Sequence, residues 1–147
     1  MHYPRVVALI VSVAMVPVPG WTDFSVVSLA TAQADKALEE KMRELFDDDD
    51  GRPVRSVSID VSGDGVPEKF VPNEFLCGNG GCPWLIYDAA RDRVIGRIFA
   101  SSIEVMERAV NGYHILQSYS SSGSAHKEWR NYEFSRGHYQ EVAQGKR

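Results

Sequence analysis

Apolar residues along the chain recur first at helical and then at strand spacing. From Asp35 to Phe46, Leu38, Met42 and Leu45 fall at i, i+4 and i+7, with Glu39 and Arg43 placed for an exposed i,i+4 pair. This spacing predicts a short amphipathic helix over residues 35–46. It should stop near Phe46, because Asp47, Asp48, Asp49 and Asp50 would gather negative charge at the negative end of the helix dipole, and Gly51 and Pro53 follow. After Pro53 the period becomes two: Val54, Ser56, Ser58 and Asp60 point one way, and Arg55, Val57, Ile59 and Val61 the other.

Further strands are expected at Glu68 to Val71, Pro83 to Tyr87, Arg93 to Ala100, Ile103 to Arg108, Tyr113 to Ser120, Lys127 to Phe134 and His138 to Val142, separated by Gly, Asn, Asp and Ser clusters. Strands this close together, without intervening helical patterns, argue for antiparallel hairpins. The expected fold class is therefore α+β, mostly β: one N-terminal amphipathic helix packed on an antiparallel meander sheet or small sandwich. Tyr132, Phe134 and Tyr139 alternate around the last turn and read as core or cross-strand pairs.

Residues 1–34 read as a signal peptide. Arg5 supplies a positive start, Val6 to Val18 is almost continuously apolar, and Ala32, Gln33 and Ala34 form an AxA pattern before Asp35. The apolar run is too short to span a bilayer comfortably, so no membrane span is expected in the mature chain. The expected product is an exported, periplasmic or secreted domain covering residues 35–147, with the helix at 35–46 and the strands within 53–142.

Charge narrows the partners. The chain carries a formal charge of -4, and no stretch interleaves Lys or Arg with aromatics, which disfavours nucleic acid. Residues 35–68 hold eleven acids and five bases, whereas residues 69–147 hold eight and ten. The run Asp47 to Asp50 is either a solvated loop or a patch for a basic extracytoplasmic protein.

Two motifs carry candidate chemistry. In DVSGDGVPE, side chains of Asp60, Ser62 and Asp64, the backbone carbonyl of Val66 and the carboxylate of Glu68 occupy alternate positions, as a calcium loop requires, and Gly65 permits a sharp turn. An EF-hand is excluded, because Val71 stands where its bidentate acid belongs and strands flank the loop. The loop resembles the strand-flanked DxDxDGxxD loops of FG-GAP-type calcium repeats. Ser62 is neutral at the third position, so calcium competes with a plain turn as the reading. In CGNGGC, Cys77 and Cys82 in an oxidising compartment read as a disulfide around four small residues, and neither zinc nor a thioredoxin-like pair fits the spacing.

In order, the helix, DVSGDGVPE, CGNGGC, PWLIYD, NGYHIL and YEFSRGHY resemble a group of small exported bacterial proteins that carry a DxNGDGxxE-like loop followed by a CGxGGC turn. The resemblance covers most of residues 53–142 and implies fold and compartment rather than activity. It implies no catalytic residues. His114, His126 and His138 are spaced by twelve without a metal-binding pair, and no GxSxG elbow accompanies Ser118 to Ser124. The leading expectation is a non-enzymatic binding or inhibitor-type domain, with a small periplasmic hydrolase and a calcium-stabilised structural domain as alternatives.

Overall fold

The computed structural model describes residues 25–46, 51–123 and 126–147. Ten strands form two five-stranded antiparallel sheets. In chain order they are β1 (Val26–Ser28), β2 (Gln33–Ala34), β3 (Arg55–Ile59), β4 (Glu68–Pro72), β5 (Cys82–Asp88), β6 (Arg93–Ala100), β7 (Ser102–Val110), β8 (Tyr113–Ser121), β9 (Lys127–Ser135) and β10 (His138–Lys146). One sheet runs β1-β7-β8-β9-β10 and the other β2-β3-β4-β5-β6. The hairpin reading of the strands from Arg55 onward holds, and the strand starts agree closely.

The turns explain this regularity. Asn111-Gly112 joins β7 to β8, and Arg136-Gly137 joins β9 to β10, each with positive φ at both residues. Two consecutive left-handed residues match the twist of the strands they connect, so each turn fixes its register.

The inner faces of both sheets share one core. Val27, Val61, Phe70, Trp84, Ile86, Ile95, Ile98, Ile103 and Leu116 are at most 2 % exposed there. Tyr113 stacks on Phe134 with ring centroids 3.7 Å apart, and Tyr139 packs edge-on to both. The expected core role of Tyr132, Phe134 and Tyr139 is thus observed.

A second cluster lies on the outer face of the β2-β3-β4-β5-β6 sheet. A 3-10 turn at Lys36–Leu38 leads into α1 (Glu39–Phe46), whose Met42 packs with Leu38 against Val71, Leu85 and Tyr87. Along β5, Trp84 and Ile86 face the main core while Leu85 and Tyr87 face the helix. Burial on both faces is why PWLIY reads as a continuous apolar run rather than an alternation.

One expectation needs correction here. The helix does not open the fold, because β1 and β2 precede it. Residues 25–34, which the sequence assigns to a leader, are built into both sheets: Val27 pairs with Ile103 of β7 and is fully buried, and Gln33 pairs with Ser56 of β3. Asp35 is anchored as well, accepting hydrogen bonds from the Ser56 hydroxyl at 2.8 Å and Lys69 Nζ at 3.1 Å. The remainder of the expected leader, residues 1–24, and the acidic run Asp47 to Asp50 lie outside the described residues. Among the described residues, no helix is long and apolar enough to cross a membrane.

Candidate metal centre

The β3–β4 connection folds back on itself through its own aspartates. Asp60 Oδ1 accepts the N–H of Gly63 at 2.8 Å, Asp60 Oδ2 accepts that of Gly65 at 2.9 Å, and Asp64 Oδ1 accepts that of Val66 at 2.8 Å. Side-chain carboxylates substitute for backbone partners here, as Asx turns do. Gly63 and Gly65 sit at φ +71° and +86°, a region costly for residues with a Cβ.

This folding brings oxygen ligands together. Carboxylate oxygens of Asp60, Asp64 and Glu68 all lie within 4.8 Å of one another, close enough to hold a metal ion. Glu68, the first residue of β4, is 1 % exposed and forms the floor of the loop, where its Oε2 accepts the Val61 N–H at 2.8 Å. The Ser62 hydroxyl donates to Asp60 Oδ1 at 3.3 Å and interacts with the Asp64 and Glu68 carboxylates. Four of the five expected positions therefore converge. For Val66, the backbone N–H is committed to Asp64, and its side chain is exposed.

The floor and the rim differ electrostatically. Burial pushes the Glu68 carboxyl above its ordinary range, against the stabilising Val61 N–H and Ser62 hydroxyl. At the rim, the Val66 N–H is the main influence holding Asp64 below the usual carboxylate range, aided by Ser62 and Arg91. Tyr139 closes the inner side. Its hydroxyl donates to the carbonyl of His114 at 2.8 Å, and burial, then the charge of Glu68, raise its pKa.

Sequence reasoning missed Arg91. It lies in the β5–β6 turn, where its Nη1 reaches Asp64 Oδ2 at 3.3 Å and Asp88 Oδ2 at 3.1 Å. Asp88 is 1 % exposed and is also approached by Arg93 Nε at 3.4 Å. Arg91 stands 27 positions from Asp64, and no local spacing signals a contact that only the stacking of β3, β4, β5 and β6 creates.

Cys77 and Cys82 form a disulfide around a tight loop in which Gly78 and Gly81 exchange backbone hydrogen bonds of 2.9 and 3.2 Å. The glycines have a steric reason. A Cβ on Gly81 would lie 2.3 Å from the Ala100 carbonyl carbon, and one on Gly80 would lie 2.7 Å from the Ser121 carbonyl oxygen.

The histidines do not converge. His114 Nδ1 is 2.7 Å from the Met106 carbonyl, while His138 Nδ1 is 3.3 Å from that of Arg136, in the β9–β10 turn. His126 is exposed in the loop before β9. Among the described residues, the Asp60, Asp64 and Glu68 group is the one set of three clustered His, Cys, Asp or Glu ligands. In comparisons with known proteins, no family model matches the chain, and no curated protein or solved structure matches it either.

Proposed function

We propose that this protein is an exported, non-enzymatic binding domain whose β3–β4 loop takes up calcium through Asp60, Ser62, Asp64, Glu68 and the carbonyl of Val66. The observation that carries the reading is the convergence of three carboxylates on the Ser62 hydroxyl, with the innermost, Glu68, buried. A buried carboxylate beside two others is unfavourable until a cation neutralises them. Hard oxygen ligands on an irregular loop suit calcium better than magnesium, which demands a near-ideal octahedron.

A hydrolase reading has less support, since among the described residues His114, His126 and His138 lie apart. A basic protein partner was expected from Asp47 to Asp50, and that segment is outside the described residues.

The test is thermal unfolding of the oxidised protein in EDTA, in millimolar calcium and in millimolar magnesium, alongside Asp64→Ala. Saturation a hundredfold above Kd stabilises a single-site protein by about 2.7 kcal/mol. Calcium is expected to raise the wild-type midpoint by several degrees, magnesium to raise it less, and the variant to respond to neither. An unmoved wild-type midpoint would reduce the loop to a turn.

A further inference from the structure

Arg91, in the turn between β5 and β6, stands between two acids from different parts of the fold. Its Nη1 lies 3.3 Å from Asp64 Oδ2, at the rim of the cation loop, and 3.1 Å from Oδ2 of the buried Asp88. The two acids depend on it unequally. Asp88 keeps other partners without the guanidinium: the Arg91 backbone N–H donates to its Oδ1 at 3.2 Å, and Arg93 Nε approaches its Oδ2 at 3.4 Å. Asp64 Oδ1 accepts the Val66 N–H, so Oδ2 is the oxygen that Arg91 covers.

Arg91 is thus placed as a tethered cation. Its side chain is partly exposed, so the guanidinium can leave Asp64 for solvent while Asp88 stays paired. A guanidinium is not deprotonated in a protein, and its charge stands beside the loop whatever the pH. Held by its own backbone, it reaches Asp64 at a high effective concentration. A hydrated monovalent ion would bring the same single charge and have to displace it. A divalent ion brings twice that charge to three clustered carboxylates.

We propose that Arg91 is a built-in competitor of the cation loop: it neutralises Asp64 when no ion is bound, yields Oδ2 to a divalent cation, and sets the affinity below what the carboxylates alone would give. The inference rests on the calcium reading above and adds to it the residue that tunes affinity. Two cations that exclude each other from one oxygen are negatively coupled, so whatever the Arg91 contact contributes to the ion-free protein is subtracted from binding of the metal. Removing the charge at position 91 therefore tightens binding, although it takes a stabilising contact out of the ion-free protein.

Isothermal titration of calcium into the whole oxidised protein, at fixed ionic strength, tests this with Arg91→Gln and Arg91→Lys. Arg91→Gln is expected to bind calcium roughly fivefold more tightly than wild type, at the low end of couplings between sites. Arg91→Lys keeps the charge, and its affinity is expected to stay closer to that of wild type, which separates loss of charge from loss of packing. In EDTA, Arg91→Gln is expected to melt below wild type, and the gap is expected to close in saturating calcium. A readout without any variant is the Arg91 Nε–H resonance in proton–nitrogen spectra, which calcium is expected to shift as the guanidinium leaves Asp64. Calcium binding by wild type with equal or weaker binding by folded Arg91→Gln, or with an unmoved Arg91 resonance at saturation, would overturn the inference and leave the cation reading standing. Calcium binding by neither wild type nor Arg91→Gln would overturn both.

Discussion

Among individual residues, Glu68 shows the strongest conflict between burial and charge. Its folded pKa is raised by burial, so the folded state binds the proton more tightly than the unfolded chain. The sign follows from linkage: Glu68 contributes a destabilisation that is absent below its unfolded pKa and develops as pH rises through its folded pKa. Glu68→Gln keeps an acceptor for the Val61 N–H without the charge. In EDTA this variant is expected to be more stable than wild type at neutral pH, with the advantage vanishing toward pH 4, as urea titrations at several pH values would show. A variant less stable throughout would mean that the buried charge is already compensated without a cation. Gly81 illustrates a purely steric requirement, with φ at +140° and the Ala100 backbone where a Cβ would go. Gly81→Ala is expected to cost roughly 2–3 kcal/mol in chemical denaturation, from strain and overpacking together. The clustered acids of the loop, Asp60, Asp64 and Glu68, were legible in the sequence because Asx turns and alternate-position spacing are local patterns. Arg91 was not, since its contact with Asp64 depends on which strands become neighbours.

For the secondary-structure elements, most of β3 to β10 was readable because turn residues and two-residue alternation are local. The strands β1 and β2 were hidden by a stronger pattern, the apolar run and AxA sequence of a leader. They are also only three and two residues long, and their pairing with β7 and β3 is non-local. Their contribution is measurable. Burying a valine side chain such as that of Val27 is worth about 1.5–3 kcal/mol, and β1 also covers an edge of β7 that would otherwise be open to association. A protein comprising residues 25–147 is expected to unfold at least 2 kcal/mol later than one comprising 35–147. The shorter form is expected to self-associate more in sedimentation experiments. Equal stability would show that β1 and β2 rest on the sheets without contributing to the fold. The disulfide acts on a similarly local scale: closing so short a loop gains roughly 2 kcal/mol by chain entropy, enough to hold the turn that begins β5.

Across the whole molecule, the two sheets have no separate interiors. Residues from β1, β4, β5, β6, β7, β8, β9 and β10 meet in one cluster, so neither sheet can lose its partner without exposing its inner face. The helix is attached differently, through Leu38 and Met42 to the outer face of β4 and β5. Because Leu85 and Tyr87 alternate with Trp84 and Ile86 on one strand, the helix layer and the central core share a backbone. Loosening the helix should therefore weaken the whole domain instead of melting a detached element. Met42 is 1 % exposed, and replacing a buried methionine by alanine typically costs 2–5 kcal/mol. Met42→Ala is expected to lower the urea midpoint without changing the dependence on denaturant, with tryptophan fluorescence and far-ultraviolet circular dichroism following one transition. Trp84 is fully buried between the sheets, and its Nε1–H donates to the Ala100 carbonyl at 3.0 Å, which makes it a reporter of the central core. An early circular-dichroism phase preceding the fluorescence change would instead show that the helix layer unfolds by itself.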